Sequence, residues 1–176
     1  ILDELIDDVL GNVEVKNQWY LTSSAIQRSW RYLQANGISA GGLGSVVVAV
    51  IDTGVDYTHP DLQANMWVNT AEIPGNGIDD DNNGYIDDIY GANTGADNGG
   101  ADGAEGDPMD DHGHGTHVAG VIGAANNREG IVGVAYNAKI MAVKAGQATG
   151  VFNQSDIAEA ILYAYDMGAD VINMSF

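Results

Sequence analysis

The sequence predicts an α/β fold, a parallel doubly wound sheet with helices on both faces, and three observations carry that prediction. Val46-Val47-Val48-Ala49-Val50-Ile51 is an unbroken, mostly β-branched run, the composition of a strand buried on both faces. Strand-like runs alternate with helical periodicities, the order that generates βαβ units. The length of 176 residues, 45% apolar and 18% charged, suits one soluble globular core.

Taken in order, residues 1–10 place Leu2, Ile6, Val9 and Leu10 opposite Asp3, Glu4, Asp7 and Asp8, a short acidic amphipathic helix ended by Gly11-Asn12. A second helix is predicted over Ser24 to Ala35, with Ile26, Trp30 and Leu33 as its apolar stripe and Ser23 or Ser24 as its cap. The Val46 strand follows. Residues 56 to 113 are rich in Gly, Asn and Asp and carry little regular pattern, and a loop of that length argues for a ligand or a function. A small-residue helix is expected from His114 to about Ala125, then a strand from Lys139 to Ala145. A helix from about Ser155 to Met167 turns Ile157, Ala160, Ile161 and Ala164 inward and stops at Gly168. The last strand is Asp170 to Ser175.

Six Lys and Arg against 25 Asp and Glu leave a formal charge of −19, which excludes a nucleic-acid footprint and disfavours anionic membrane surfaces. The acidity is local: no Lys or Arg occurs from Tyr32 through Asn127, a stretch holding 15 of the 25 carboxylates. Such a surface attracts cations. Cysteine is absent, so disulfides, thiolate nucleophiles and Cys-based zinc sites drop out. No apolar run approaches the length of a membrane span, and no signal-peptide pattern is present.

In an open α/β sheet, sites gather beyond the carboxyl ends of the strands. Asp52, in Val50-Ile51-Asp52-Thr53-Gly54, occupies that place, either as a functional carboxylate or as an Asp capping a turn. His112-Gly-His114-Gly-Thr-His117-Val-Ala-Gly120 puts a histidine among small residues at the start of a helix. A carboxylate and a histidine on neighbouring strand and helix ends suit general-base work, the acid fixing the tautomer of the imidazole. A competing reading makes His112, His114 and His117 metal ligands with Asp110 or Asp111. The three-residue spacing of His114 and His117 differs, however, from the four-residue spacing of paired zinc-binding histidines.

Inside the excursion, Asp79-Asp-Asp81-Asn-Asn83-Gly84-Tyr85-Ile-Asp87-Asp88 sets side-chain oxygens at positions 1, 3 and 5 and Gly at 6, the opening of a calcium loop. The expected ligands are Asp79, Asp81 and Asn83, the carbonyl of Tyr85, and a closing carboxylate from Asp87 or Asp88. Asp97, Asp102, Asp107, Asp110 and Asp111 bind further calcium or only solvate the loop.

Three motifs in order, Val-Ile-Asp52-Thr-Gly, His114-Gly-Thr-His-Val-Ala-Gly and Asp170-Val-Ile-Asn-Met-Ser175, resemble the N-terminal part of a subtilisin-like serine protease domain of the subtilase family. His59-Pro-Asp61-Leu and Gly130-Ile-Val-Gly-Val-Ala135 extend the resemblance, which covers about residues 17 to 176. It implies a subtilisin-like sheet, incomplete here, with residues 78–111 as an acidic calcium-binding insertion. Residues 1–16 would be a prosegment remnant or an N-terminal extension. It also implies that Asp52 and His114 are the acid and base of an Asp-His-Ser triad in a serine endopeptidase. The family's serine and oxyanion asparagine fall beyond Phe176, so the isolated chain is expected to be inactive and to need the missing C-terminal part of the domain as its partner. A catalytically silent calcium-binding module is the alternative.

By the same resemblance, a polypeptide substrate lies as an added strand along Gly150, Val151 and Phe152 on one side and Ser175 on the other. A second calcium site would use the side chains of Gln18, Asp61 and Asn127 with main-chain oxygens of Ala125, Glu129 and Ile131. Secretion to the extracellular space is implied as well.

Overall fold

β1 (Val47–Asp52) is the strand on which the architecture is built, because both of its faces and both of its edges are covered. The computed structural model describes residues 18–95 and 106–176. The predicted helix of residues 1–10, its stop at Gly11-Asn12, and Asp97 and Asp102 lie outside the described residues. In chain order the elements are α1 (Trp19–Ser23), α2 (Ile26–Ala35), β1, β2 (Gly91–Asn93), α3 (His114–Gly123), β3 (Lys139–Lys144), α4 (Gln154–Asp166) and β4 (Val171–Met174). The four strands form one parallel sheet in the order β2-β3-β1-β4.

Strand alternation divides the core. Val48 and Val50 join Ile140 and Ala142 beneath Ala119 of α3, whereas Ala49 and Ile51 join Met141 and Val143 beneath Ala160, Tyr163 and Ala164 of α4. Val50, Ile51, Ile140 and Val143 are wholly buried, each worth about 1.5–3 kcal/mol in water-removal terms. α4 ends in paired hydrogen bonds, Ala169 N–H to the Ala164 carbonyl and Gly168 N–H to the Tyr165 carbonyl, with Gly168 at φ +80°. Along its outer side β4 has no partner strand among the described residues, and Val171 and Met174 are half exposed.

Two sequence expectations are corrected. Residues 19–23 form their own helical turn, so Ser23 ends α1 and its hydroxyl donates to the Tyr20 carbonyl instead of capping α2. The residue preceding α2 is Ala25, in the left-handed region at φ 57°, with no side-chain cap. The acidic excursion also contributes a strand, β2, whose pairing with β3 the composition did not reveal. A smaller cluster of Leu21, Trp30, Ala40 and Val132 fastens α1 and α2, and the Trp30 indole donates to the Val134 carbonyl at 3.0 Å. No helix among the described residues is long and apolar enough to cross a membrane.

Candidate active site

β1 ends at Asp52, whose carboxylate is fully buried, and α3 begins at His114, whose side chain is 41% exposed. His114 Nδ1 lies 2.7 Å from Asp52 Oδ1. A carboxylate can only accept there, so the proton sits on Nδ1 and Nε2 remains the basic nitrogen. The same Asp52 oxygen accepts the Thr53 N–H at 2.7 Å, while Oδ2 is buried with no hydrogen-bond partner among the described residues. Close approach of α3 to β1 depends on Gly115, since a Cβ there would lie 3.0 Å from the Asp52 Cβ.

His114 opens onto a cleft of about 360 Å³ bounded by Thr53, His112, Thr149, Gly150, Phe152 and Phe176. Phe152 and Phe176 stack with ring centroids 4.1 Å apart. Of the residues expected along a substrate strand, Gly150 and Phe152 border this cleft. Val151 is exposed, and its carbonyl accepts the Gln147 N–H within a turn. Ser175 donates its hydroxyl to Asn173 Oδ1, and it is the following residue, Phe176, that reaches the cleft. The hydroxyls of Ser23 and Ser29 donate to helix carbonyls, that of Ser39 to the Ala40 carbonyl and that of Ser155 to Asp156.

The segment before His114 is tied down. Lys144, at the end of β3 in register with Asp52, pairs with Asp111 at 2.8 Å and donates to the Met109 carbonyl. Asp107 accepts from the Tyr57 hydroxyl and the Met109 N–H. Asp107 and Asp111 thus have protein partners, as does Asp110, which accepts the Thr53 hydroxyl at 2.9 Å. The histidine metal centre finds no counterpart: the group of three metal-competent side chains among the described residues is Glu72, Asp81 and Asp88.

Those three carboxylates each offer an oxygen within 4.8 Å of the others. Asp88 is fully buried and accepts from Asn69 at 2.8 Å, Asn83 at 2.9 Å and the Tyr163 hydroxyl at 2.6 Å. Burial raises its pKa above the ordinary carboxylate value, and the charge of Asp81 adds to that, against the opposing hydrogen bonds. Burial and the Asp88 carboxylate together push the Tyr163 hydroxyl far above the usual tyrosine range. Asp79 accepts the Asn83 and Gly84 N–H groups, which shapes the turn. The three converging ligand atoms are carboxylate oxygens, the chemistry of a hard divalent cation, while Asn69 and Asn83 turn their NH₂ groups toward Asp81 and Asp88.

Asp87 does not join this group. Its carboxylate accepts the N–H groups of Gly75, Asn76 and Gly77, so Asp88 alone is left as the closing carboxylate. Tyr85 stands beside the group with its hydroxyl on Glu159 at 2.6 Å. Glu72 escaped the sequence reading because it stands seven residues before the loop with no motif spacing; it also accepts the Asp80, Asp81 and Asp87 N–H groups.

At the second expected cation site, Asp61 meets Asn127 at 3.0 Å and the Ile131 N–H at 2.8 Å, and the Ala125 N–H donates to the Asp61 carbonyl. Gln18 brackets the adjacent Val132, accepting from its N–H and donating to its carbonyl. Asn127 Oδ1 accepts the Glu129 N–H and its NH₂ faces Asp61, so a cation between them requires the amide to turn over.

The sequence profile of the Subtilase family matches residues 44–176. The chain is 40% identical over 168 residues to subtilisin-like protease 1 of Plasmodium berghei, covering 94% of this chain and 26% of that protein. It is 44% identical over 129 residues to a thermophilic serine proteinase of Bacillus sp. strain AK1, covering 73% of this chain and 25% of the relative. With halolysin of Haloferax mediterranei the identity is 38% over 135 residues, 76% of this chain and 21% of the relative. The chain therefore spans about a quarter of the length of these curated relatives.

Proposed function

The chain belongs to the subtilase family, and from that premise we propose that it supplies the acid and base of a serine-type endopeptidase, with Asp52 and His114 in those roles. The observation that carries this reading is the 2.7 Å contact between a buried carboxylate and a half-exposed imidazole at the rim of a cleft. In the reaction, Nε2 of His114 takes the proton of a serine hydroxyl as that oxygen attacks the scissile carbonyl, then returns it to the leaving amine. Asp52 holds the tautomer and stabilises the imidazolium. The nucleophile, on this reading, comes from another part of the full-length protein. The substrate is a polypeptide lying beside Gly150 and Phe152, with Phe176 closing the cleft.

Calcium is the cation we assign to Glu72, Asp81 and Asp88, with Asp79 and Asn83 shaping the turn; the support is the hard oxygen donor set and the burial of two of the carboxylates. When bound, the ion would neutralise charge that otherwise repels. Asp61 and Asn127 are the residues for a second ion. Work outside the cell, where calcium is plentiful, fits the same reading.

The test uses the full-length protein and a serine-directed fluorophosphonate. Labelling and peptide hydrolysis that disappear in His114→Ala are the expected result. Hydrolysis that resists the fluorophosphonate but stops with a zinc-selective chelator would overturn the assignment.

A further inference from the structure

α3 starts without a conventional cap. Its N-cap is Gly113 at φ 96°, which has no side chain with which to meet the free N–H groups of the first turn. Two residues from outside the helix take over. Thr53 Oγ1 accepts the Gly115 N–H at 3.0 Å, and Asp110 Oδ2 accepts both the Thr116 N–H at 2.9 Å and the Thr116 hydroxyl at 2.5 Å. Asp110 Oδ1 accepts the Thr53 hydroxyl, the His112 N–H and the Gly113 N–H, each at 2.9 Å. Thr116 Oγ1 in turn accepts the Asp56 N–H at 2.9 Å.

One carboxylate therefore gathers five donors: one from the residue after β1, two from the loop before α3 and two from the first turn of α3. Thr53 directly follows Asp52, and Thr116 is two residues after His114, so both ends of the network lie next to the pair that must stay 2.7 Å apart. An ionised carboxylate has about four lone-pair sites and no donor, and it also suits the positive end of a ten-residue helix. An amide of the same shape would turn an NH₂ group toward N–H or O–H donors. Although burial raises the Asp110 pKa, hydrogen bonds from Thr116, Gly113 and His112 outweigh it and hold the carboxyl below its ordinary value.

We propose that Asp110 is a positioning residue for the Asp52–His114 pair, acting through Thr53 on one side and the first turn of α3 on the other. This rests on the reading of Asp52 and His114 as acid and base. A carboxylate that only stabilised the loop would affect melting; one that sets the geometry of the pair affects kcat, because misplacing a reacting group by about 1 Å costs on the order of a hundredfold.

The experiment compares Asp110→Asn, Thr53→Val and His114→Ala in the full-length, calcium-loaded protease, reading kcat, KM, melting temperature and the downfield NMR resonance of the His114 Nδ1 proton. Asp110→Asn is expected to lower kcat about ten- to a hundredfold with KM within about twofold, and to shift or broaden that resonance. Thr53→Val leaves the Thr116 contacts of Asp110 in place while removing the hydroxyl that joins Asp110 to the end of β1 and accepts the Gly115 N–H. It is expected to lower kcat in the same direction, and it decides the matter if Asp110→Asn does not fold. Wild-type kcat and an unmoved resonance in folded Asp110→Asn, or wild-type kcat in Thr53→Val, overturn the proposal. If His114→Ala itself retains full activity, the acid and base reading fails and this inference fails with it; an inactive His114→Ala beside fully active Asp110→Asn and Thr53→Val defeats this inference alone.

Discussion

Gly115 and Gly54 meet so closely that a Cβ built on Gly115 would stand 2.1 Å from the Gly54 carbonyl oxygen and 3.2 Å from Asp52 Oδ1. The obstacle is backbone, which cannot swing aside as a flexible side chain would. Gly115→Ala is therefore expected to push α3 away from β1, costing about 1–3 kcal/mol of stability and lengthening the His114–Asp52 contact. Thermal melting together with kcat of the full-length protein checks this, and an unchanged kcat would show that the close approach does not set the pair.

Asp52→Asn keeps the shape of the side chain but offers His114 an amide. A wrong tautomer at this triad position has cost other serine proteases about four decades in kcat, and a loss of that order is expected here. Steady-state hydrolysis of a peptide substrate measures it; near-wild-type turnover would remove Asp52 from the mechanism.

Calcium at about a hundred times its Kd should raise stability by about 2.7 kcal/mol through mass action, seen as a higher melting temperature that a chelator reverses. Glu72→Gln and Asp81→Asn should each remove much of that gain. Asp87→Asn should leave the calcium response intact, because Asp87 faces the Gly75 to Gly77 N–H groups instead. Equal loss in all three variants would contradict the assignment of ligands.

Asp110 gives the acid limb of stability a predictable sign. Its folded pKa lies below the unfolded value of about 4, so its contribution is complete above that value and disappears as pH falls through the folded pKa. Asp110→Asn should melt lower than wild type at about pH 6, with the two curves converging as pH falls through the folded pKa. Melting temperatures measured from pH 2.5 to about 6 test it, and parallel curves throughout would refute it.

What was legible in the sequence was whatever periodicity or a motif encodes. Val46 to Ile51 announced a central strand because it must be apolar on both faces, and Asp52 followed from its place at that strand's end. β2 was illegible: Gly91, Ala92 and Asn93 have no strand propensity, and they pair with β3 so closely that a Cβ at Gly91 would lie 1.7 Å from the Ala142 carbonyl oxygen. Only a glycine permits that approach, and no local pattern reports it. Glu72 and Tyr163 were missed for a related reason, since their roles depend on contacts across 9 to 75 positions of chain. Asp87 and Asp88 looked equivalent as neighbours; the turn at Gly75 to Gly77 separates their fates.

The Asp88 carboxylate, out of contact with solvent, receives hydrogen bonds from Asn69 and Asn83 inside the acidic excursion and from Tyr163 of α4 behind the sheet. Protein engineers who hoped to trim the excursion as a detachable cassette would leave the Tyr163 hydroxyl sealed in an apolar wall with nothing to donate to. A shortened chain would need Tyr163→Phe in the same step, and the excursion is better regarded as interior scaffolding that happens to begin and end at the surface.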